Sequence, residues 1–485
     1  VATAEPTHAD DAEPGLGSGP RIRPPATDPD APPPLGSAPT DDIPSPADDS
    51  SGPTADGSRR IPDSSSPAAA DSTPPVADSA PAAADSVRIA DGPAPADGRA
   101  SRRARPAALA EPLRQRLLRH PVLSVTALAG VLHVIWFFSF ANSGGDLAAQ
   151  DAWAEFVGRH PDSAYNLAWY GGMHPVSYSV VSPYLMSVLG VRTTMMIAGT
   201  VSAGLLTMVL IRSRSVRNPL WAGLAGVFAL ICNAVSGRVT FGLGTMFALG
   251  AVAAVHCWPY RWRHKRWAKA LAAAPLAALA TMASPVAGLF VGLVAVALFL
   301  QKRRPGAWAL GLAPAAVVAV SAWLFPFSGT QPMGFGTVIL PLLYGLLCVF
   351  VVPRSWQTVR LTAAVYSLAV VLVWLVSSQI GSNITRLAML FAGVVLVAAL
   401  PFAVPRSRKW YVIVLSFLGF VGWVGFKSVD DIVHTTPAAS WARELAPLVH
   451  QLQQVGAEKG RVEVVPARSH REASALAPYV NLARG

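Results

Sequence analysis

From residue 121 onward the chain is a succession of apolar runs of 17 to 21 residues, each closed by an Arg/Lys cluster or by a Gly, Pro or Asn turn. A run of that length crosses the hydrocarbon core as one helix, since every backbone polar group must be bonded inside the segment. The pattern predicts about eleven spans, at residues 121–141, 193–212, 219–235, 239–257, 267–283, 284–301, 306–326, 335–352, 358–378, 386–404 and 410–426. The expected fold class is therefore an all-α polytopic membrane protein of the plasma membrane. The fifth and sixth runs are parted only around Ser284–Pro285, so that boundary is the weakest. The first run follows Arg114, Arg116 and Arg119 and some 120 earlier residues, which reads as a span rather than a cleavable leader.

Residues 1–110 are of another kind. They are Ala, Pro, Asp, Ser and Gly with almost no large apolar side chains, and cannot bury enough surface to offset chain entropy. A disordered tail is expected there. The first hundred residues carry 17 acids against 6 Arg, whereas the whole chain has a formal charge of +11, so the body is strongly basic. Cys232, Cys257 and Cys348 all lie in or at the ends of apolar runs and read as buried thiols.

The charges alternate from one connection to the next. Arg212, Arg214 and Arg217 follow the second run; Arg261, Arg263, Lys265, Arg266 and Lys269 the fourth; Lys302, Arg303 and Arg304 the sixth. Arg354 and Arg360 follow the eighth, and Arg406, Arg408 and Lys409 the tenth. Basic connections stay in the cytoplasm, which places the N-terminus inside and the C-terminal segment outside. No Asp or Glu occurs between Asp162 and Asp430. The acids beyond residue 140 then all fall on the outer side, and none lies in mid-membrane to couple ion movement.

Two outer segments are long. In the loop 142–192, Asp151–Arg159 reads as an amphipathic helix ended by His160–Pro161. Val176–Gly190 is apolar, but its fifteen residues and Pro183 suit a surface helix better than a crossing. Trp153, Trp169 and Tyr170 suit the water–lipid interface. The second segment, 427–485, opens on Asp430–Asp431, continues as an amphipathic helix over Trp441–Val455 and offers a strand-like run at Val462–Pro466. It reads as the start of an outer domain that continues beyond Gly485.

The candidate chemistry sits in these outer segments. Asp146 follows Gly144–Gly145, and Gln150 and Trp153 share its helical face, while Asp151 and Glu155 lie on another. A carboxylate here serves either as a helix cap or as a base for an acceptor hydroxyl. His174, in Tyr170-Gly-Gly-Met-His-Pro175, is a hydrogen-bonded turn residue, an acid/base or a metal ligand, with no second His at ligand spacing. Arg238, in the turn Ser236-Gly-Arg, and Arg386, after Gly381-Ser-Asn383-Ile-Thr, have no carboxylate near in sequence. Each reads as a snorkelling side chain or, together, as a phosphate clamp. Asp430–Asp431 reads as a solvated linker or as part of a divalent-cation site completed from elsewhere. No nucleotide-binding loop is present, and nothing points to a nucleic-acid partner.

With these features the chain resembles the GT-C type integral-membrane glycosyltransferases, particularly actinobacterial ones that use polyprenyl-phosphate sugars. The likeness covers about residues 120–485. It rests on Gly144-Gly-Asp146 after the first span, the surface run Val176–Gly190, the outer segment from Lys427, and the turns at Ser236–Arg238 and Gly381–Arg386. Leu147 stands where such proteins often have a second acid, so Asp151 joins Asp146 as a candidate base. The resemblance implies a substrate-binding set of Gln150, Trp169, Tyr170, His174, Arg238, Asn383 and Arg386. It implies a polyprenyl-phosphate sugar as donor and a cell-envelope glycan or lipid as acceptor, among membrane lipids, and leaves open a divalent cation as cofactor. The rival reading is a membrane transporter, a major-facilitator-like carrier or a lipid flippase. Against it stand the absent mid-membrane acid and the absence of a two-fold repeat in span spacing.

Overall fold

The computed structural model describes residues 119–141, 146–166, 173–258, 260–262, 264–326, 329–435, 444–464, 476 and 479–483. The tail expected at 1–110 lies outside them. The unit Pro95–Gly485 is compact, and its described residues build an all-helical body whose only β pairings are three isolated bridges.

Helices occupy every one of the eleven apolar stretches: α1 Pro121–Ser139, α5 Val191–Arg212, α6 Pro219–Val235, α7 Val239–His256, α8 Arg266–Ala283, α9 Pro285–Leu300, α10 Arg304–Leu324, α11 Phe335–Val351, α12 Gln357–Leu375, α13 Thr385–Ala399 and α14 Arg408–Thr435. The loop between α1 and α5 supplies α2 Asp146–Arg159, α3 Pro175–Tyr178 and α4 Ser182–Leu189, and the C-terminal segment α15 Ala446–Gln454. Seven helices among the described residues are long and apolar enough to cross a membrane: α1, α5, α7, α10, α12, α13 with its flanking 3-10 turns, and α14. Three more, α6, α9 and α11, are apolar but only 16 or 17 residues long. Side chains such as Phe138, Trp267, Leu271, Trp323 and Phe350 stand exposed on the outside of the bundle, as they do where the solvent is lipid. The chain is a multi-pass membrane protein.

Proline sets many of the helix starts. Pro121, Pro183, Pro219 and Pro285 occupy the first turn, where the missing N–H costs nothing. At the other ends the basic clusters follow the C-termini of α5, α7, α9, α11 and α13, where cations favour the helix dipole. Arg214, Lys302 and Arg406 close three of these turns with φ of 56°, 60° and 61°, a conformation usually left to glycine.

The packing is dense and mostly by small side chains. One core joins α6, α13 and α14 around Leu230, Leu396, Ile413 and Phe420. A second joins α7 to α10 through Ala251, Ala270, Ala273, Ala277 and Ala280. Where the hydrophobic effect does not drive helices together, such close approach is what dispersion requires.

The break between α8 and α9 is held from the loop between α1 and α5. Ser179 Oγ donates to the carbonyls of Met282 and Ala283 at 3.1 and 2.9 Å, and Ser182 Oγ donates to Ala283 at 3.0 Å. The amide of Val180 donates to Met282 at 2.7 Å. These carbonyls belong to the last turn of α8, where the helix has no further amides to offer because the chain turns into extended backbone at Ser284. The run Val176–Gly190, expected as one surface helix, is thus two short ones, α3 and α4, bent around this contact.

The C-terminal segment departs from expectation at its start. Asp430 and Asp431 were expected in a linker; they lie in the last turns of α14, which runs 28 residues without interruption. Lys427 bonds Asp430 at 3.1 Å and Asp431 at 3.2 Å, one turn apart on the same face, and carries the helix past the end of its apolar run. Beyond it, Val449 and Leu452 of α15 pack with Val462, Leu476, Val480 and Leu482 in a small separate core. The strand-like run expected at Val462–Pro466 forms no strand in its described part, where Val462 makes only an isolated parallel bridge to Leu482.

Candidate functional site

The site is built on one turn. Between α6 and α7 the chain reverses through Ser236–Gly237–Arg238, with Gly237 at φ 71°. A Cβ on Gly237 would stand 2.9 Å from the Leu147 side chain and 3.0 Å from its amide nitrogen. The absence of a side chain there lets the start of α2 sit directly on the turn, which brings Asp146 beside Arg238. Their closest atoms, Nε and Oδ2, are 3.7 Å apart.

Arg238 has a shorter bond elsewhere. Its Nη2 donates to Asp431 Oδ2 at 2.9 Å, and Lys427 backs that carboxylate from the other side. The pair is largely enclosed, with 15% and 17% of the two side chains exposed, whereas Asp146 is 51% exposed. Asp431 therefore neutralises Arg238 and leaves Asp146 at the rim, open to solvent. The sequence hid this partner because 193 positions separate the two residues.

Arg386, in the first turn of α13, lines the same small cavity as Arg238, together with Asn233, Phe241 and Met389. Its guanidinium lies 5.2 Å from the centre of the Phe241 ring, a cation–π contact. It is within electrostatic reach of Asp146, Asp431 and Tyr178. Among the described residues no carboxylate forms an ion pair with it. The free space between the two arginines is about 10 Å³, room for one water.

Along α2, Gln150 and Trp153 follow Asp146 on one face, the spacing read from the sequence; they are buried with Val157, while Asp146 stays exposed at the start of the helix. Gln150 is 2% and Trp153 7% exposed, and Trp153 packs on Tyr178 of α3 with ring centres 4.5 Å apart. Gln150 Oε1, Trp153 Nε1 and Arg238 Nε are buried without a hydrogen-bond partner among the described residues. Such groups are costly to leave empty-handed.

Asp151 serves another contact. Arg192, at the start of α5, holds it with two bonds of 3.0 and 3.1 Å and donates Nε to the Ala141 carbonyl at 2.7 Å. This bidentate clasp ties α2 to the ends of α1 and α5. His174 donates Nδ1 to the Ala164 carbonyl at 3.0 Å, and its ring lies against Tyr165 and Phe325, in the manner of a turn residue. Asn383 donates to Gln331 Oε1 at 3.1 Å and helps clasp the α10–α11 loop to the turn before α13. Gly381, at φ 47°, admits the Gln331 backbone there. Trp169 and Tyr170 lie outside the described residues.

The structure thus gathers Asp146, Arg238 and Arg386, with Gln150 along the helix from Asp146. Asp431, Lys427 and Tyr178 belong to the same cluster and were missed as members of it. For Asp431 the only signal in the sequence was an acid pair directly after an apolar run. Among the described residues no three of His, Cys, Asp and Glu come together as a metal-ligand set. No protein-family model matches the chain, and no curated protein or solved structure matches it either.

Proposed function

We propose that the chain is an integral-membrane glycosyltransferase that moves a sugar from a polyprenyl-phosphate donor to a cell-envelope acceptor at the outer face. In this reading all eleven apolar helices cross the membrane, with the basic connections in the cytoplasm and the C-terminal segment outside. The observation that carries it is the gathering, at the acid-bearing end of the bundle, of a solvent-open carboxylate, Asp146, beside Arg238, and of a second guanidinium, Arg386, on the cavity that Arg238 lines, with no ion pair to Arg386 among the described residues.

Each group has a part. Arg386 binds the donor phosphate once the cavity it shares with Arg238, closed here to the size of one water, has widened, a role that Arg238 is less free to take because Asp431 occupies it. Asp146 takes the proton from an acceptor hydroxyl as its oxygen attacks the anomeric carbon. The bond between that carbon and the phosphate oxygen breaks, and polyprenyl phosphate leaves with the electron pair. One base suffices because the leaving group needs no proton, and single displacement inverts the anomeric centre. Gln150 Oε1 and Trp153 Nε1 offer an acceptor and a donor to sugar hydroxyls. Arg238, held by Asp431, braces the turn on which Asp146 rests.

The test is reconstitution of the protein in vesicles with a panel of labelled polyprenyl-phosphate monosaccharides and envelope-glycan oligosaccharides. Transfer with release of polyprenyl phosphate is expected for one donor. Label that crosses to the vesicle lumen without bond cleavage would instead establish the transporter reading.

A further inference from the structure

At the other end of the bundle α5 and α8 both pack on α7, and a groove of about 750 Å³ opens between them. Its floor is small: Gly250, Ala253 and Ala254 of α7. Its walls are apolar, formed by Val201, Leu205 and Met208 on one side and Leu276 on the other. The volume is that of a small-molecule site.

The mouth has a different chemistry. Trp258 and Trp262 lie there with ring centres 5.7 Å apart, and Lys265 Nζ stands 4.6 Å from the centre of the Trp262 ring. Arg261 lines the mouth directly. Arg212 continues the stripe of Val201, Leu205 and Met208 by one further turn, so it lies at the same end. Both arginines are exposed, and among the described residues neither has a carboxylate in ion-pair contact.

The dimensions set the occupant. From Val201 to Arg212 the helix rises about 16 Å, half of a hydrocarbon core of about 30 Å. The groove therefore runs from mid-membrane to one surface, the depth of one leaflet. An apolar slot of that depth, ending in indoles and unpaired guanidiniums, matches an acyl chain below a phosphate.

We propose that this groove is a binding site for one anionic phospholipid of the leaflet at the basic end, its acyl chain along α7 and its phosphate between Arg212 and Arg261. The site stands on the membrane architecture alone and is independent of sugar transfer.

The test is native mass spectrometry of the purified chain in detergent, titrated with phosphatidylglycerol and with phosphatidylcholine of the same acyl chains. One phosphatidylglycerol is expected to bind first and to survive activation. The double variant Arg212→Gln/Arg261→Gln is expected to weaken it by about 30-fold, about fivefold for each guanidinium, and to leave phosphatidylcholine unchanged. Gly250→Leu, whose Cβ would meet Leu276 at an ordinary 3.6 Å, fills the groove and should displace both lipids. Ala254→Leu does the same if the first variant melts early. Equal affinity of the wild type for the two headgroups, or lipid retention unaltered by both filling variants, overturns the proposal.

Discussion

Arg238 and Asp431 are 193 positions apart, yet a 2.9 Å hydrogen bond joins them and ties the α6–α7 turn to the last turns of α14. The two side chains are mostly enclosed, so removing either leaves the other with a charge that water does not fully solvate. Asp431→Asn and Arg238→Gln are each expected to lower stability by about 1–3 kcal/mol. The double variant should lose less than the sum, and a thermal-unfolding cycle measures that coupling. Additive losses would mean that the bond contributes nothing.

Asp146→Asn keeps the shape of the side chain and its place in the first turn of α2. Folding and insertion should be unchanged while sugar transfer falls by at least about a hundredfold, the low end of what a positioned base contributes. Arg386→Ala should raise the apparent Kd for donor more than that for acceptor. Turnover at the wild-type rate in the first variant, or an unaltered donor Kd in the second, removes those assignments.

Gly237→Ala combines two penalties, a left-handed backbone and a Cβ pressed onto Leu147. A loss of about 1–3 kcal/mol is expected, with a drop in kcat as the start of α2 moves from the turn. Gly460→Ala, where nothing lies within 4 Å of the added atom, is the control and should be neutral.

Asp151→Asn leaves Arg192 with a neutral partner in its clasp. Here the prediction separates bracing from chemistry: thermal stability should fall by about 1–2 kcal/mol, and the variant should retain measurable transfer when assayed well below its melting point. A loss of activity as complete as in Asp146→Asn, at native stability, would instead make Asp151 the base.

Single cysteines test the orientation. In a Cys257→Ser background, Glu155→Cys should react with an impermeant maleimide on intact cells, and Ser215→Cys only after permeabilisation. Both positions are exposed, and the other native thiols, Cys232 and Cys348, are buried. The reverse pattern inverts the topology and puts the proposed active site on the wrong face for its acceptor.

The helices were legible because each is an uninterrupted apolar run closed by proline or by charge, and such runs have few other uses. Even the doubtful break at Ser284–Pro285 is real. The end of α14 was not legible: apolarity stops near Phe426, but ion pairs at Lys427, Asp430 and Asp431 continue the helix where the hydrophobic signal has ended. The site was half legible. The helical spacing of Asp146, Gln150 and Trp153 is a local property, and it held. The partner of Arg238 is set by how α6, α7 and α14 pack, and a pairing across most of the chain leaves no trace in local pattern. In sequence Arg238 and Arg386 alike had no carboxylate nearby; tertiary contacts make the first a brace and, among the described residues, leave the second without an ion pair.

The hydroxyls of Ser179 and Ser182 meet carbonyls that are about a hundred residues further along the chain. During synthesis the loop between α1 and α5 is complete long before those carbonyls exist, because the chain emerges from its N-terminal end. The loop must therefore wait, unfastened, until α8 has been made and has turned at Ser284. Tyr178, which carries the ring under Trp153, is the immediate neighbour of Ser179. The packing of Tyr178 under Trp153 thus sets only after the middle of the bundle has been made, and a chain arrested before α8 would carry the start of α2 without that support.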